Sequence, residues 1–133
     1  MIDYFLVYLV MITVFLLMDF LWLGVLAKST YQKYLGHLMR EHTNWLAAIA
    51  FYLFFVLGIL FFAVIPANEK MGFNYALLYG AFFGFFTYMT FELTALSVLK
   101  GWKLTIVFID IIWGILISAF VAMVGFWVLG IMR

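Results

Sequence analysis

Four long apolar stretches, separated by shorter polar segments, divide the chain from end to end. In a helix, about 20 apolar residues are needed to cross a bilayer, and each stretch reaches that length. They cover about residues 4–27, 45–65, 74–99 and 104–131. This pattern predicts an all-α integral membrane protein, a four-helix bundle that forms one transmembrane domain over residues 1–133. The second span is expected to end at Pro66.

The polar segment between the first two spans has the period of an amphipathic helix. Between Ser29 and Thr43, apolar residues recur at helical spacing and polar residues fill the other side. The expected apolar face consists of Tyr31, Tyr34, Leu35, Leu38 and Met39. We predict a short helix lying in the membrane interface. The alternative is a structured loop that only joins two spans.

The third and fourth spans each carry a row of small residues four positions apart. Gly80 and Gly84 form the first row, and Gly114, Ser118 and Ala122 form the second. Small residues allow membrane helices to approach closely. The two rows predict either a tight bundle, or one contact within the chain and a second contact that forms a homo-oligomer.

Composition excludes several classes of protein. The chain is 70% hydrophobic and only 10% charged, whereas a soluble domain needs more charge to cover its surface. It contains no cysteine, which excludes disulfides, thiolate catalysis and cysteine metal ligands. A net charge of +1 without a basic tract gives no reason to expect nucleic acid as a partner. The lipid bilayer is the expected surrounding.

The two histidines are the remaining candidates for a metal site. His37 and His42 flank Glu41, but no third ligand is evident, so we predict solvated interfacial histidines and no metal. No nucleophile paired with a base and no glycine-rich phosphate loop stands out. Whether the protein is an enzyme, and which cofactor it uses, stays open.

Lysine and arginine residues predict the orientation of the spans. The segments after spans one and three hold five basic residues against two on the other side: Lys28, Lys33, Arg40, Lys100 and Lys103 against Lys70 and Arg133. The side with more basic residues is expected to be cytoplasmic. Both termini of this multi-pass protein are therefore predicted on the non-cytoplasmic side.

Three carboxylates share one depth in the membrane. Asp19, Glu92 and Asp110 lie seven to nine positions from the basic residue at the same end of their span. With a rise of 1.5 Å per residue, all three lie about 10–14 Å inside the same boundary. A charge at bilayer depth costs about 3 kcal/mol or more, so such residues indicate a functional site. The alternative is that they are hydrogen-bonded struts that fix helix register.

The spans contain no lysine or arginine to neutralise these acids. Nearby carboxylates repel each other in a low dielectric, so either one of them carries a proton or the layer binds a cation. Trp22 and Trp113 follow Asp19 and Asp110 at the same spacing, which indicates an indole N–H donor beside each acid on its own helix face. The predicted ligand-binding residues are Asp19, Trp22, Tyr88, Glu92, Thr94, Asp110 and Trp113.

Three stretches, which together extend over nearly the whole chain, follow a specific pattern: MDFLWLGVLAKSTYQKYLGHLM, AFYLFFVLGILFFAVIPA and ALLYGAFFGFFTYMTFELTALSVLKGWKLTIVFIDIIWG. In these stretches the chain resembles the DUF2177 family of predicted bacterial membrane proteins. At the end of span three, Glu92 stands where the family has aspartate, Ala95 where it has asparagine, and Val98 where it has threonine. The resemblance implies four spans in the bacterial cytoplasmic (inner) membrane and a functional polar layer. Family members encoded near lipid-modifying enzymes point towards lipid.

These observations favour a binding or transport module. Its intramembrane acidic pocket would open towards the cytoplasmic leaflet and hold a cationic small molecule or a lipid head group. One alternative is a membrane enzyme, or an accessory subunit of one, that acts on lipid. Another is a structural partner of a second membrane protein.

Overall fold

The computed structural model describes residues 2–132, and this part of the chain forms helices and turns without a strand. Helix α1 (Ile2–Leu21) continues into a π-helical turn at Trp22–Leu26, and α2 (Lys28–Leu35) continues into a 3-10 turn. Helix α3 (Trp45–Ile59) continues through a second π-helical turn, Leu60–Val64, into α4 (Ile65–Glu69). The two longest helices complete the fold: α5 (Phe73–Val98) and α6 (Leu104–Met132).

Within residues 2–132, four continuous helical segments are long and apolar enough to cross a membrane: Ile2–Leu26, Trp45–Glu69, Phe73–Val98 and Leu104–Met132. The prediction of an all-α membrane helical bundle is thereby confirmed. Arg133, which contributes to the expected orientation, lies outside the described residues.

The sequence predicts that the second long segment ends at Pro66. In the structure it continues to Glu69. Proline lacks a backbone N–H and interrupts the hydrogen bonds of a helix. Here the preceding segment, Leu60–Val64, forms a π-helical turn in which the Ile65 N–H donates to the Leu60 carbonyl, five residues back. Such turns are a common means of accommodating an interruption inside a long helix.

The two rows of small residues pack against each other. A methyl group added to Gly80 would lie 2.7 Å from Cβ of Ala122, and one added to Gly84 would overlap the carbonyl oxygen of Gly114. The backbones of α5 and α6 are therefore in direct contact, which only small residues permit. Both rows are used in this one contact within the chain.

Helix α1 presents a buried stripe to the core. Val7, Met11 and Phe15 are fully buried at intervals of four residues, and Asp19 is the next member, with 6% of its surface exposed. Residues three or four apart lie on one face of a helix. The apolar stripe thus turns Asp19 into the bundle, near the end where α2 begins.

Helix α2 is shorter than the predicted amphipathic helix, because it ends at Leu35 and a single 3-10 turn follows at Gly36–Leu38. Glycine is a poor helix former, which explains the end of α2 at this position. Tyr31, expected on a lipid-facing side, instead reaches into the bundle and hydrogen-bonds Asp110. The interfacial position of α2 stays a prediction.

Candidate functional site

A cavity of about 440 Å³ lies at the α2 end of the bundle. Its walls come from α1 with its π-helical turn and from α2, α3, α5 and α6. Eight of the twelve residues that line it are aromatic, and two are carboxylates. The lining consists of Asp19, Trp22, Leu23, Tyr31, Phe51, Tyr52, Phe55, Thr87, Tyr88, Phe91, Asp110 and Trp113.

Asp19 is held by donors from two other helices. The Tyr52 hydroxyl donates to Oδ2 at 3.1 Å, and the Trp113 indole Nε1–H donates to Oδ1 at 3.3 Å. Each carboxyl oxygen thus accepts one hydrogen bond, and both donors are neutral side chains. The position of Asp19 is therefore fixed by two neutral donors.

Asp110 is reached through Tyr31 on α2. The Tyr31 hydroxyl donates to Oδ1 of Asp110 at 2.8 Å and accepts a hydrogen bond from Nε1–H of Trp22 at 3.1 Å. Burial and the neighbouring Asp110 carboxylate raise the pKa of the Tyr31 phenol. The phenol therefore keeps its proton and remains a donor to Asp110 in the ordinary pH range.

Each of the two indoles is linked by hydrogen bonds to the carboxyl group on the other helix. Trp113 donates to Asp19 on α1, and Trp22 acts through Tyr31 on Asp110 of α6. The prediction that each indole serves the acid of its own helix is therefore wrong. Because α1 and α6 run in opposite directions, their matching Asp-x-x-Trp segments meet side by side and the indoles reach across.

Glu92 lies beside this cavity without lining it. Its side chain is 2% exposed, and Oε1 accepts a hydrogen bond from Nε1–H of Trp102 at 2.9 Å. Asp110 of α6 is its acidic neighbour.

Thr94 does not join the other predicted ligand-binding residues. Its side chain is exposed, and it does not line the cavity. Two residues along a helix correspond to about 200° of rotation, so Thr94 lies on the opposite face of α5 from Glu92. The structure therefore brings five of the seven predicted residues together at the cavity: Asp19, Trp22, Tyr88, Asp110 and Trp113.

A glycine of the neighbouring helix makes room for the ring of Tyr88. A methyl group added to Gly114 would overlap the ring of Tyr88, so the ring lies directly on the backbone of α6. From there the Tyr88 hydroxyl is within electrostatic range of both Asp19 and Asp110. The small-residue contact between α5 and α6 thus also positions a cavity side chain.

The predicted ligand site omits Tyr31, Tyr52 and the phenylalanines of the cavity. Tyr52 lies seven residues after Trp45, which places it about 10 Å inside the same boundary as the acids. This depth is the signal in the sequence that marks Tyr52 as a neighbour of the acids. Tyr31 has no comparable signal, because it lies outside the apolar stretches.

The cavity opens sideways between the first half of α3 and the second half of α5. No residue from 45 to 54 is buried, although Tyr52 of this half of α3 reaches Asp19. Two lining residues at this opening are largely exposed, Phe51 at 45% and Phe91 at 57%. In a membrane, this opening would face the hydrocarbon chains of the lipids.

The cavity combines carboxylates with aromatic faces. Within residues 2–132, no group of three histidine, cysteine or acidic side chains is placed so that it could hold a metal. The cavity instead offers Asp19 and Asp110 among aromatic rings. Carboxylates attract a cation by charge, and aromatic faces attract it through their quadrupole.

A family model described as a predicted membrane protein (DUF2177) matches residues 4–127. The matched region includes every residue that lines the cavity and most of all four long helices. No curated protein and no solved structure matches the chain.

Proposed function

The chain belongs to the DUF2177 family of predicted membrane proteins, and we propose that it binds an organic cation between Asp19 and Asp110. The observation that carries this proposal is the pairing of two carboxylates with eight aromatic residues in one cavity. A cation over an aromatic face gains about 2 kcal/mol or more when it is shielded from water. Such a site would act as a binding or transport module.

The hydrogen bonds around the acids favour a cation over other ligands. The donors to Asp19 and Asp110 are the neutral side chains of Tyr52, Trp113 and Tyr31. Since the spans contain no lysine or arginine, the negative charge inside the bundle has no counter-ion there. A bound ammonium group would supply one, and its methyl or methylene groups would contact the aromatic rings.

The surroundings of the cavity favour a ligand that arrives from the membrane. The sideways opening at Phe51 and Phe91 faces lipid, and the basic residues favour a cytoplasmic position for this end of the bundle. A cationic small molecule dissolved in the leaflet, or the head group of a lipid, would reach the acids without crossing the bilayer centre. The proposed location is the bacterial inner membrane.

Binding of tetramethylammonium to the purified protein in lipid nanodiscs tests this proposal. Trp22 and Trp113 line the cavity, so tryptophan fluorescence reports occupancy, and calorimetry gives the affinity independently. We expect Asp19→Asn and Asp110→Asn each to weaken binding about tenfold or more, which corresponds to about 1.4 kcal/mol. The control is Glu69→Gln, which changes an exposed acid at the end of α4, on the opposite side of the bundle from the cavity.

Folding of the variants is checked separately by size-exclusion chromatography and thermal unfolding. Asparagine keeps the size of aspartate and still accepts a hydrogen bond from Tyr31 or Tyr52. If wild type fails to bind tetramethylammonium, or if both variants bind it as tightly as wild type does, the proposed function is wrong. A wild type that does not bind, combined with variants that do not fold, would favour the alternative that the acids are structural struts.

A further inference from the structure

A second hollow lies on the outer surface of the bundle, next to the cavity. It is an open groove of about 380 Å³ along α5 and the π-helical turn before α4, and we call it the aromatic groove. It is lined by Phe62, Tyr79, Phe82, Phe83, Phe86 and Thr87. These side chains offer an almost wholly apolar surface to whatever lies in the groove.

The aromatic groove and the cavity adjoin each other. Thr87 lines both, and the ring of Phe83 in the groove lies 5.3 Å, centroid to centroid, from the ring of Phe55 in the cavity. Gly58 makes room for this arrangement, because a methyl group there would lie 2.6 Å from Cζ of Phe83. A molecule held at the acids could therefore extend directly into the groove.

The direction of the aromatic groove matches the path of a lipid chain. From Thr87, next to the cavity, the groove runs back along α5 to Tyr79. Eight residues of helix correspond to about 12 Å, measured from Thr87 away from the acids and towards the opposite side of the membrane. A chain attached to a head group in the cavity would take this same path through the hydrophobic interior.

We propose that the ligand is a cationic amphiphile, with its ammonium head group in the cavity and an alkyl or acyl chain in the aromatic groove. This inference rests on the proposed function and adds the chemical class of the ligand to it. The groove shares Thr87 with the cavity, so an occupant of the groove can belong to the same molecule as an occupant of the cavity. Its volume and apolar lining suit a single hydrocarbon chain.

The test compares ammonium ions that share a head group but differ in chain length. Tetramethylammonium, butyltrimethylammonium, octyltrimethylammonium and dodecyltrimethylammonium are titrated into nanodiscs below their micelle-forming concentrations. The variant is Phe62→Ala, which removes one wall of the aromatic groove. Its matched control is Phe61→Ala, since Phe61 is the preceding residue in the same turn, has a similar exposure of 58% against 67%, and does not line the groove.

In wild type, the affinity should increase with chain length until the chain fills the groove. The ratio of dodecyl to tetramethyl affinity should decrease about fivefold or more in Phe62→Ala and stay close to the wild-type ratio in Phe61→Ala. An equal ratio in both variants would show that the chain only partitions into lipid, and it would overturn this inference while leaving cation binding intact. Failure of tetramethylammonium itself to bind would instead overturn the proposed function.

Discussion

The indole rings of Trp22 and Trp113 lie parallel, with centroids 4.5 Å apart and planes inclined by 5°. The two rings come from the first and last long helices of the chain. Because each indole N–H serves the acid of the opposite helix, the stack lies between two hydrogen-bond networks. One network contains Asp19 and Tyr52, and the other contains Asp110 and Tyr31.

Replacement of Trp113 by phenylalanine should destabilise the bundle. The change removes the hydrogen bond to Asp19 and part of the stack on Trp22, which together contribute about 1–3 kcal/mol. Unfolding in mixed micelles at increasing denaturant gives the change in free energy. Trp127→Phe is the control, since Trp127 is 64% exposed. Equal effects of the two substitutions would contradict the importance of the stack.

The contact between α5 and α6 predicts a strong effect of one added methyl group. Gly84→Ala would force the new Cβ against the Gly114 carbonyl, and we expect a loss of about 1–3 kcal/mol in the free energy of unfolding. Gly130→Ala, also in a long helix, places its Cβ in open space and should not destabilise. The same unfolding assay compares the two. A Gly84→Ala protein with the stability of wild type would show that α5 and α6 can move apart without a loss of stability.

The sequence predicts depth in the membrane better than it predicts partners. Counting residues from the basic ends of the spans locates Asp19, Glu92 and Asp110 in one layer, because the rise of a helix is constant. Which donor meets which acid depends on how the helices are rotated and packed. The Asp-x-x-Trp spacing therefore shows that indoles lie near the acids, but not that they cross between helices.

Tyr31 should make the stability of the protein depend on pH in the alkaline range. Its phenol pKa is raised in the folded state, so above about pH 10 the unfolded chain loses a proton that the native protein keeps. Stability therefore falls as pH increases beyond that point. Tyr31→Phe should be less stable by about 1 kcal/mol at neutral pH, and this deficit should shrink at high pH.

The measurement is thermal unfolding of wild type and Tyr31→Phe in a detergent that is itself stable to alkali. Tyr34→Phe, on the same short helix, controls for the general loss of a hydroxyl. Subtracting the stability curve of Tyr31→Phe from that of wild type removes the contributions of all other tyrosines. A difference that stays constant from pH 8 to pH 11 would contradict the hydrogen bond from the Tyr31 phenol to Asp110.

The orientation in the membrane can be tested with single cysteines. The chain has no cysteine of its own, so Ser29→Cys and Glu69→Cys each introduce one unique label site. Both positions are exposed and lie at opposite ends of the long helices. A membrane-impermeant maleimide added to intact cells should label Glu69→Cys only. Labelling of Ser29→Cys from outside would reverse the predicted topology.

Two residues illustrate why the rest of the site could not be predicted. Trp102 lies in a short polar turn, where tryptophan usually marks the membrane interface. In the structure it donates to the buried Glu92 instead. Tyr31 likewise belongs to an amphipathic pattern that predicts contact with lipid. In both cases a connecting segment packs against the bundle. The local pattern of apolar and polar residues contains no information about such a tertiary contact.

The direct contact of Gly84 with Gly114 has a consequence for the order in which the chain assembles. It joins α5 to α6, whose connection is only the five residues of Leu99–Lys103, so closing this pair costs little entropy. The hydrogen bond from Trp113 to Asp19 instead spans 94 positions. During synthesis, α1 therefore enters the membrane long before its partner on α6 exists. We expect a nascent chain cut before Trp113 to leave Asp19 without this donor, and α1 to be held less firmly in the bilayer until the last helix arrives.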